Sequence, residues 1–206
     1  MRITRIENSK HVQERVLIYL EEGDPLRITA HELLQFGLHQ GMDLSPETVV
    51  QLQDAGRRSQ SRVTAARMAS GRMLSRKELT ERLNRKGISP DTAEETADWL
   101  ESLGAVDDAA YAGVIVRHYG GSGYGPGRVR QELQKRGIPR HLWDEALSQL
   151  PDSGETIDHF LKKKLGGRTP DRAALKKLGD ALLRRGHAWG DIRRALERYD
   201  PDLPEE

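Results

Sequence analysis

Leu83-Asn84-Arg85-Lys86-Gly87, Leu133-Gln134-Lys135-Arg136-Gly137 and Leu182-Leu183-Arg184-Arg185-Gly186 share one pattern: leucine, any residue, two cations, glycine. The glycines lie 50 and 49 residues apart (137 − 87 and 186 − 137). An apolar residue stands eight positions before each glycine (Leu79, Val129, Leu178) and a leucine four before it, which makes one stripe along a helix. The cations fall in the last turn of that helix, where they face its negative end, and the glycine just beyond can take the left-handed conformation that closes it. After each glycine the chain restarts at Ile88-Ser89-Pro90-Asp91, Ile138-Pro139-Arg140-His141 and His187-Ala188-Trp189-Gly190. Ser89 with Pro90 suits an N-cap and first turn, and the fixed φ of Pro139 suits a first turn as well. The helices that follow repeat Ala93, Thr96, Ala97, then Trp143, Ala146, Leu147, then Ile192, Ala195, Leu196 at the same offsets. A unit of this kind, repeated three times, predicts an all-α fold, mainly, of tandem three-helix repeats in an elongated array, neighbours burying faces that one unit alone cannot.

Working outward, the first 27 residues differ. Ile3 and Ile6, the apolar run 16–20 and the turn Glu22-Gly23-Asp24-Pro25 predict two or three short strands, a small N-terminal β-hairpin. Thr29 with Glu32 predicts a capping box for a short helix ending near Gly37, and Ser45-Pro46 starts the next, which runs through residues 46–73 with Gly56 as a point where it can break. Ser75 with Glu78 is a second capping box, and Asp107-Asp108 suits a helix start. Residues 120–127, with five glycines, read as a flexible linker in which Tyr124 is the aromatic most expected at the surface. Residues 151–154 read as a second linker. The expected domains are 1–60, three repeats at 61–106, 107–151 and 152–200, and an acidic tail at 201–206.

Composition bounds the function. No apolar run exceeds the five residues 16–20, and neither a long apolar leader nor a cleavage site opens the chain, so a cytoplasmic protein without membrane contact is expected. The absence of cysteine excludes disulfides, thiolate metal sites and thiol nucleophiles. The net charge of +1 conceals segregation: residues 57–88 hold ten Arg or Lys against two Glu, and residues 91–108 hold seven Asp or Glu and no cation. Such blocks either pair across the fold as solvated faces or present a basic edge to an anionic partner.

Sought-for chemistry is missing. The seven histidines are scattered, without metal-ligand spacing, and read as surface or half-buried residues. Neighbouring Asp107 and Asp108 point about 100° apart on a helix, which suits a helix start better than a catalytic pair. The glycine-rich stretch lacks the Gly-Lys-Ser/Thr of a phosphate loop. Trp99, Trp143 and Trp189 follow their glycines at different distances, so core packing for at least two is expected before a base-stacking platform. No catalytic residue, cofactor or metal ligand is expected, and the chain reads as a non-enzyme.

These residues resemble the RecX regulatory proteins that bind the bacterial RecA recombinase. The resemblance rests on the opening Met1-Arg2-Ile3-Thr4-Arg5-Ile6-Glu7, on Phe36-Gly37-Leu38 before Gly41-Met42, and on Ser75-Arg76 with Glu78-Leu79. It rests also on Gly104-Ala105-Val106-Asp107-Asp108-Ala109-Ala110-Tyr111-Ala112 and the cation-glycine ends. Departures are Ala105 and Val106 for the usual Tyr and Leu, the long glycine-rich stretch, and His187 where an aromatic is frequent. The resemblance implies a monomeric inhibitor that lies in the helical groove of the RecA filament on DNA and blocks strand exchange and RecA-assisted repressor cleavage, hence recombination and the SOS response. Linked modules suit a partner with regularly spaced sites. The residues expected to meet acidic protein surface, or DNA phosphate in a weak direct contact, are Arg85, Lys86, Arg128, Arg130, Lys135, Arg136, Arg184 and Arg185. The alternative is a helix-turn-helix regulator reading duplex DNA through residues 191–199, with Arg193, Arg194 and Arg198 towards the bases.

Overall fold

Alternation of apolar and polar residues sets the N-terminal region. In the computed structural model, which describes residues 1–10, 12 and 15–200, it forms the antiparallel strands β1 (Ile3–Asn8), β2 (Arg15–Leu20) and β3 (Leu26–Thr29), in the order β1-β2-β3. Of the two or three strands expected, three form, because Leu26 and Ile28 alternate with Arg27 and pair with Ile18 and Val16. Ile3, Val16, Ile18, Leu26 and Ile28 share one face and pack with Val49 and Leu52 of a following helix. Each such side chain contributes about 1.5–3 kcal/mol when buried.

The capping box at Thr29 starts α1 (Ala30–Gln35). Burial pushes the Glu32 carboxyl up, but hydrogen bonds from the Ser59 hydroxyl and from Thr29 outweigh it and hold the group below the usual carboxylate range. Ser45 accepts from the Thr48 N–H at 3.2 Å and starts α2 (Pro46–Gly71). The helix does not break at Gly56. A glycine is needed there because β3 crosses so closely that a Cβ would stand 2.2 Å from the Arg27 carbonyl oxygen. Residue 60, the expected domain boundary, therefore lies inside α2, whose first half packs on β3 and which also packs on α4.

The repeated pattern gives α3 (Arg76–Arg85), α4 (Pro90–Ser102), α5 (Asp108–Gly121), α6 (Pro126–Lys135), α7 (Trp143–Leu147) preceded by a 3₁₀ turn (Arg140–Leu142), α8 (Ser153–Leu165), α9 (Arg172–Arg184) and α10 (Trp189–Leu196). Gly87, Gly137 and Gly186 have φ of +83°, +72° and +85°. In each case the next N–H reaches back to the leucine carbonyl that opens the pattern: Ile88 to Leu83 (3.2 Å), Ile138 to Leu133 (3.0 Å), His187 to Leu182 (3.2 Å). This bond closes a helix through a left-handed glycine. Ser89, Asp107, Asp152 and Asp171 cap α4, α5, α8 and α9.

Two compact units result: Met1–Met73 with Leu79–Val106, and Leu74–Glu78 with Asp107–Glu206. In the second, Tyr111, Ile115, Val129, Leu133 and Ile138 form the core of α5–α7, and Ile157, Leu161, Leu175, Leu182 and Ile192 that of α8–α10. The acidic tail at 201–206 lies outside the described residues. Two linker readings need correction. The helix expected from Asp107-Asp108 is α5, and it continues to Gly121 while α6 begins at Pro126, so only 122–125 remain between helices. Nor is residue range 151–154 a free linker, since Asp152 caps α8 and Ser153 begins it.

Candidate functional site

Each cation-glycine end of the second unit is buried against the start of another helix. At the middle end, the Ser75 hydroxyl, already part of the capping box of α3, donates to the Arg136 carbonyl oxygen. The Arg136 guanidinium lies 3.8 Å from the Glu78 carboxylate and donates to the Tyr111 hydroxyl at 2.5 Å. Asp108 accepts the Arg76 N–H at 2.9 Å, so the second aspartate of the pair caps α3 while Asp107 caps its own helix. Lys77 packs where a Cβ on Gly137 would be.

The third end repeats this geometry with different chemistry. The N–H groups of Gly125 and Gly127 donate to the carbonyl oxygens of Arg185 (2.8 Å) and Gly186 (2.9 Å). The Arg185 guanidinium lies between the rings of Tyr124 and Phe160, 5.1 and 5.0 Å from their centroids, and donates to the carbonyls of Ser122 and Gly123. Tyr124, expected at the surface, is half-buried, edge-on to Tyr119 at 5.4 Å. The glycine-rich stretch is thus a seat for the third helix end, because a Cβ on Gly125 would come within 2.5 Å of the Gly186 carbonyl oxygen. The signal was present in Gly125-Pro126-Gly127, two glycines at a helix start, where backbone rather than side chain must approach a partner.

The pair of cations therefore splits. Arg136 and Arg185 are half-buried in these joints, and Arg128 pairs with the buried Glu132 at 3.1 Å. Lys135 and Arg184, with Arg130, are exposed. In the first unit both Arg85 and Lys86 are exposed. The receiving residues Ser75, Glu78, Gly125 and Gly127 were not among the expected site residues.

His187 is buried, against the expectation of a surface or half-buried ring, since it follows Gly186 into the joint. Its Nε2 faces the Gly123 carbonyl at 3.3 Å, and its Nδ1 is buried without a partner. Burial lowers its pKa, aided by Arg185 and opposed by the Gly123 carbonyl and Asp191. The neutral ring donates from Nε2, whereas a second N–H would have no acceptor. A depressed folded-state pKa means that the unfolded chain binds the proton first, so stability is full above the ordinary imidazole value of about 6.5 and falls as the pH drops below it. Trp189 fluorescence during urea unfolding is expected to show a lower midpoint at about pH 5 than at about pH 7.5, and His187→Phe to remove most of that difference.

Elsewhere, Trp143 packs against the second repeat's core and donates to the Ile138 carbonyl at 2.9 Å, Trp99 is half-buried beneath Arg62, and Trp189 is 38% exposed. The acidic α4 packs on α2, with the hydroxyls of Ser61 and Thr96 bonded at 2.7 Å. Among the described residues no three metal-ligating side chains converge and no helix is long and apolar enough to cross a membrane.

Comparison with known proteins follows the same outline. Residues 62–100 match the family profile described as RecX, first three-helix domain, and residues 107–147 that described as RecX, second three-helix domain. The chain is 28% identical over 210 residues to the regulatory protein RecX of Streptococcus gordonii, covering 100% of this chain and 80% of that protein. It is 37% identical over 129 residues to the regulatory protein RecX of Xanthomonas oryzae pv. oryzae, covering 62% and 80%. A crystal structure of regulatory protein RecX superposes with a TM-score of 0.74 at 23% identity, over 94% of this chain and 98% of that one, a likeness of fold. RecX from Lactobacillus salivarius superposes with a TM-score of 0.63 at 25% identity, over 70% and 97%.

Proposed function

Because this chain belongs to the RecX family of regulatory proteins, we propose that it binds the RecA filament on DNA, in its helical groove, and inhibits recombinase activity and RecA-assisted repressor cleavage. In this reading it acts without catalysis, as a cytoplasmic monomer, through the repeats at 61–106, 107–151 and 152–200. The observation that carries the proposal is the splitting of the two cation pairs of the second unit: one member ties the joint, while Lys135 and Arg184 stay exposed at equivalent positions of successive repeats. A filament offers acidic or phosphate groups at a fixed spacing, and linked modules meeting several of them gain from high effective concentration.

The test is co-sedimentation with RecA filaments, with and without nucleotide, together with RecA ATPase on single-stranded DNA. Lys135→Glu with Arg184→Glu is expected to raise the concentration needed for half-inhibition about tenfold and to steepen its salt dependence, since exposed interfacial charges act mainly on encounter. Unchanged inhibition would remove these cations from the interface. The alternative of a duplex-reading helix is disfavoured by its own charges: Arg193 pairs with Glu197 at 2.7 Å, and Arg194 and Arg198 pair with Asp191 and Asp158.

A further inference from the structure

The N-terminal sheet has one open edge. β1 stands there, with β2 as its neighbour in the sheet. Its first residues are closed from outside: the Ile3 N–H donates to the Met42 carbonyl at 2.9 Å, the Ile3 carbonyl accepts from the Gly41 N–H at 2.9 Å, and Arg2 bridges to Asp43. At the other end the strand turns at Ser9, whose N–H donates to the Arg15 carbonyl. Between these stops, among the described residues, the backbone of residues 4–8 bonds to β2 alone, and Thr4, Arg5, Glu7 and Asn8 are exposed. The outward N–H and C=O groups of such an edge offer a template for a further strand. Edges are commonly blunted by lysine, proline or a bulge. β1 has a register shift between Ile3 and Arg5, but beyond it the strand carries one charge of each sign. Arg5 and Glu7 lie on the face away from the core, 3.4 Å apart, with Arg5 over the Tyr19 ring at 4.2 Å. Ile6 between them turns to the core and is only partly buried.

We infer that β1 pairs with β1 of a second copy of this chain, antiparallel about a twofold axis at Ile6. The inference goes beyond the RecA reading and does not depend on it. In this register Arg5 faces Glu7 of the second copy, Glu7 faces its Arg5, Thr4 faces its Asn8, and the two Ile6 side chains cover each other. Opposite-charge and β-branched cross-strand pairs are those that stabilise a sheet, and like charges placed opposite each other oppose it. An axis at Arg5 or at Glu7 would set like charges together, so the sequence selects Ile6. The open stretch is centred on that residue, which lets the strands meet without displacing residues 41–44. Because the stretch is short, the pair buries less than the about 1,200 Å² of a standard interface and is weak, with a dissociation constant of about 100 µM. The chain is thus a monomer when dilute and pairs where it is concentrated.

The experiment is sedimentation equilibrium of the full chain, without RecA, from about 20 to about 500 µM at about 100 mM salt. Arg5→Glu and Glu7→Arg are each expected to weaken pairing about tenfold or more, since each sets like charges against each other on both sides of the axis. An equimolar mixture of these two variants restores every opposite-charge pair, as does the swapped chain Arg5→Glu with Glu7→Arg. Both samples should return to within about threefold of the parent's dissociation constant. Arg5 and Glu7 are exposed, so the thermal melts stay those of the parent, which separates lost pairing from lost folding. Lys176→Glu, at an exposed position of α9, leaves pairing unchanged. No association of the parent over that range, equal association in all variants, growth beyond two copies, or a weakening that neither the mixture nor the swap repairs each overturns the inference. None of these outcomes bears on RecA inhibition, which is read where the chain is dilute.

Discussion

Gly186→Ala is expected to lower the stability of the third repeat by about 3–5 kcal/mol, whereas Gly87→Ala costs about 1–2 kcal/mol, although the two glycines have the same φ to within a few degrees and close their helices with the same bond. Both substitutions place a side chain in the left-handed region, which accounts for the smaller cost. Only Gly186 is also pressed against another helix: its Cβ would lie 2.2 Å from the Arg128 backbone nitrogen and 2.9 Å from its Cα. Backbone on both sides cannot yield as a flexible side chain can, so the joint must open. Gly137→Ala belongs between them, because there the Cβ would meet the Lys77 side chain. The measurement is urea unfolding of variants each retaining one tryptophan, since Trp99, Trp143 and Trp189 mark the three repeats separately. Equal costs at Gly87 and Gly186 would show that the joint contributes nothing and that the glycines act only as helix stops.

Arg136→Glu should separate the two cations of the middle end just as clearly. The new carboxylate would stand in the half-buried space beside Glu78 and beneath Tyr111, where the arginine now joins both. Losing the partner of a partly buried pair, and adding repulsion, costs about 2–5 kcal/mol. Lys135→Glu, one residue earlier and exposed, should change stability by less than about 0.5 kcal/mol. Thermal denaturation followed by circular dichroism gives the comparison, and RecA inhibition gives the second axis. The expected pattern is a folded Lys135 variant with weakened inhibition and a destabilised Arg136 variant. A stable Arg136 variant would mean that its guanidinium is not what fastens the joint. Reversing both charges together cannot tell a surface contact from a collapsed fold.

How much of this was legible beforehand varies with the range of the interaction. The three helix ends, their left-handed glycines and the caps at Ser45, Ser89, Asp107 and the Thr29 and Ser75 boxes are set within a few residues, and the observed geometry agrees with the reading at each. The buried stripe Leu79, Leu83, Val129, Leu133, Leu182 was equally plain, since period alone places it on one face. Gly56 was misread because a glycine that breaks a helix and one that admits a crossing strand look alike until Arg27 is seen against it. The same ambiguity hid the role of residues 120–127, taken for a linker by glycine content when two of the glycines end α5 and two others receive the third helix end.

What the amino-acid order determined by itself, then, is the repeat: where each helix stops, which side is apolar, and that two cations stand at every stop. Local hydrogen bonds and the helix dipole suffice for that. What only the tertiary structure decided is the fate of those cations. Arg136 and Arg185 are drawn into joints because Glu78, Tyr111, Tyr124 and Phe160 converge on them from segments 25 to 61 residues away, while Lys135 and Arg184 remain in water. No spacing rule distinguishes neighbours in one dipeptide. The distinction arises from which side of the helix end meets the rest of the fold.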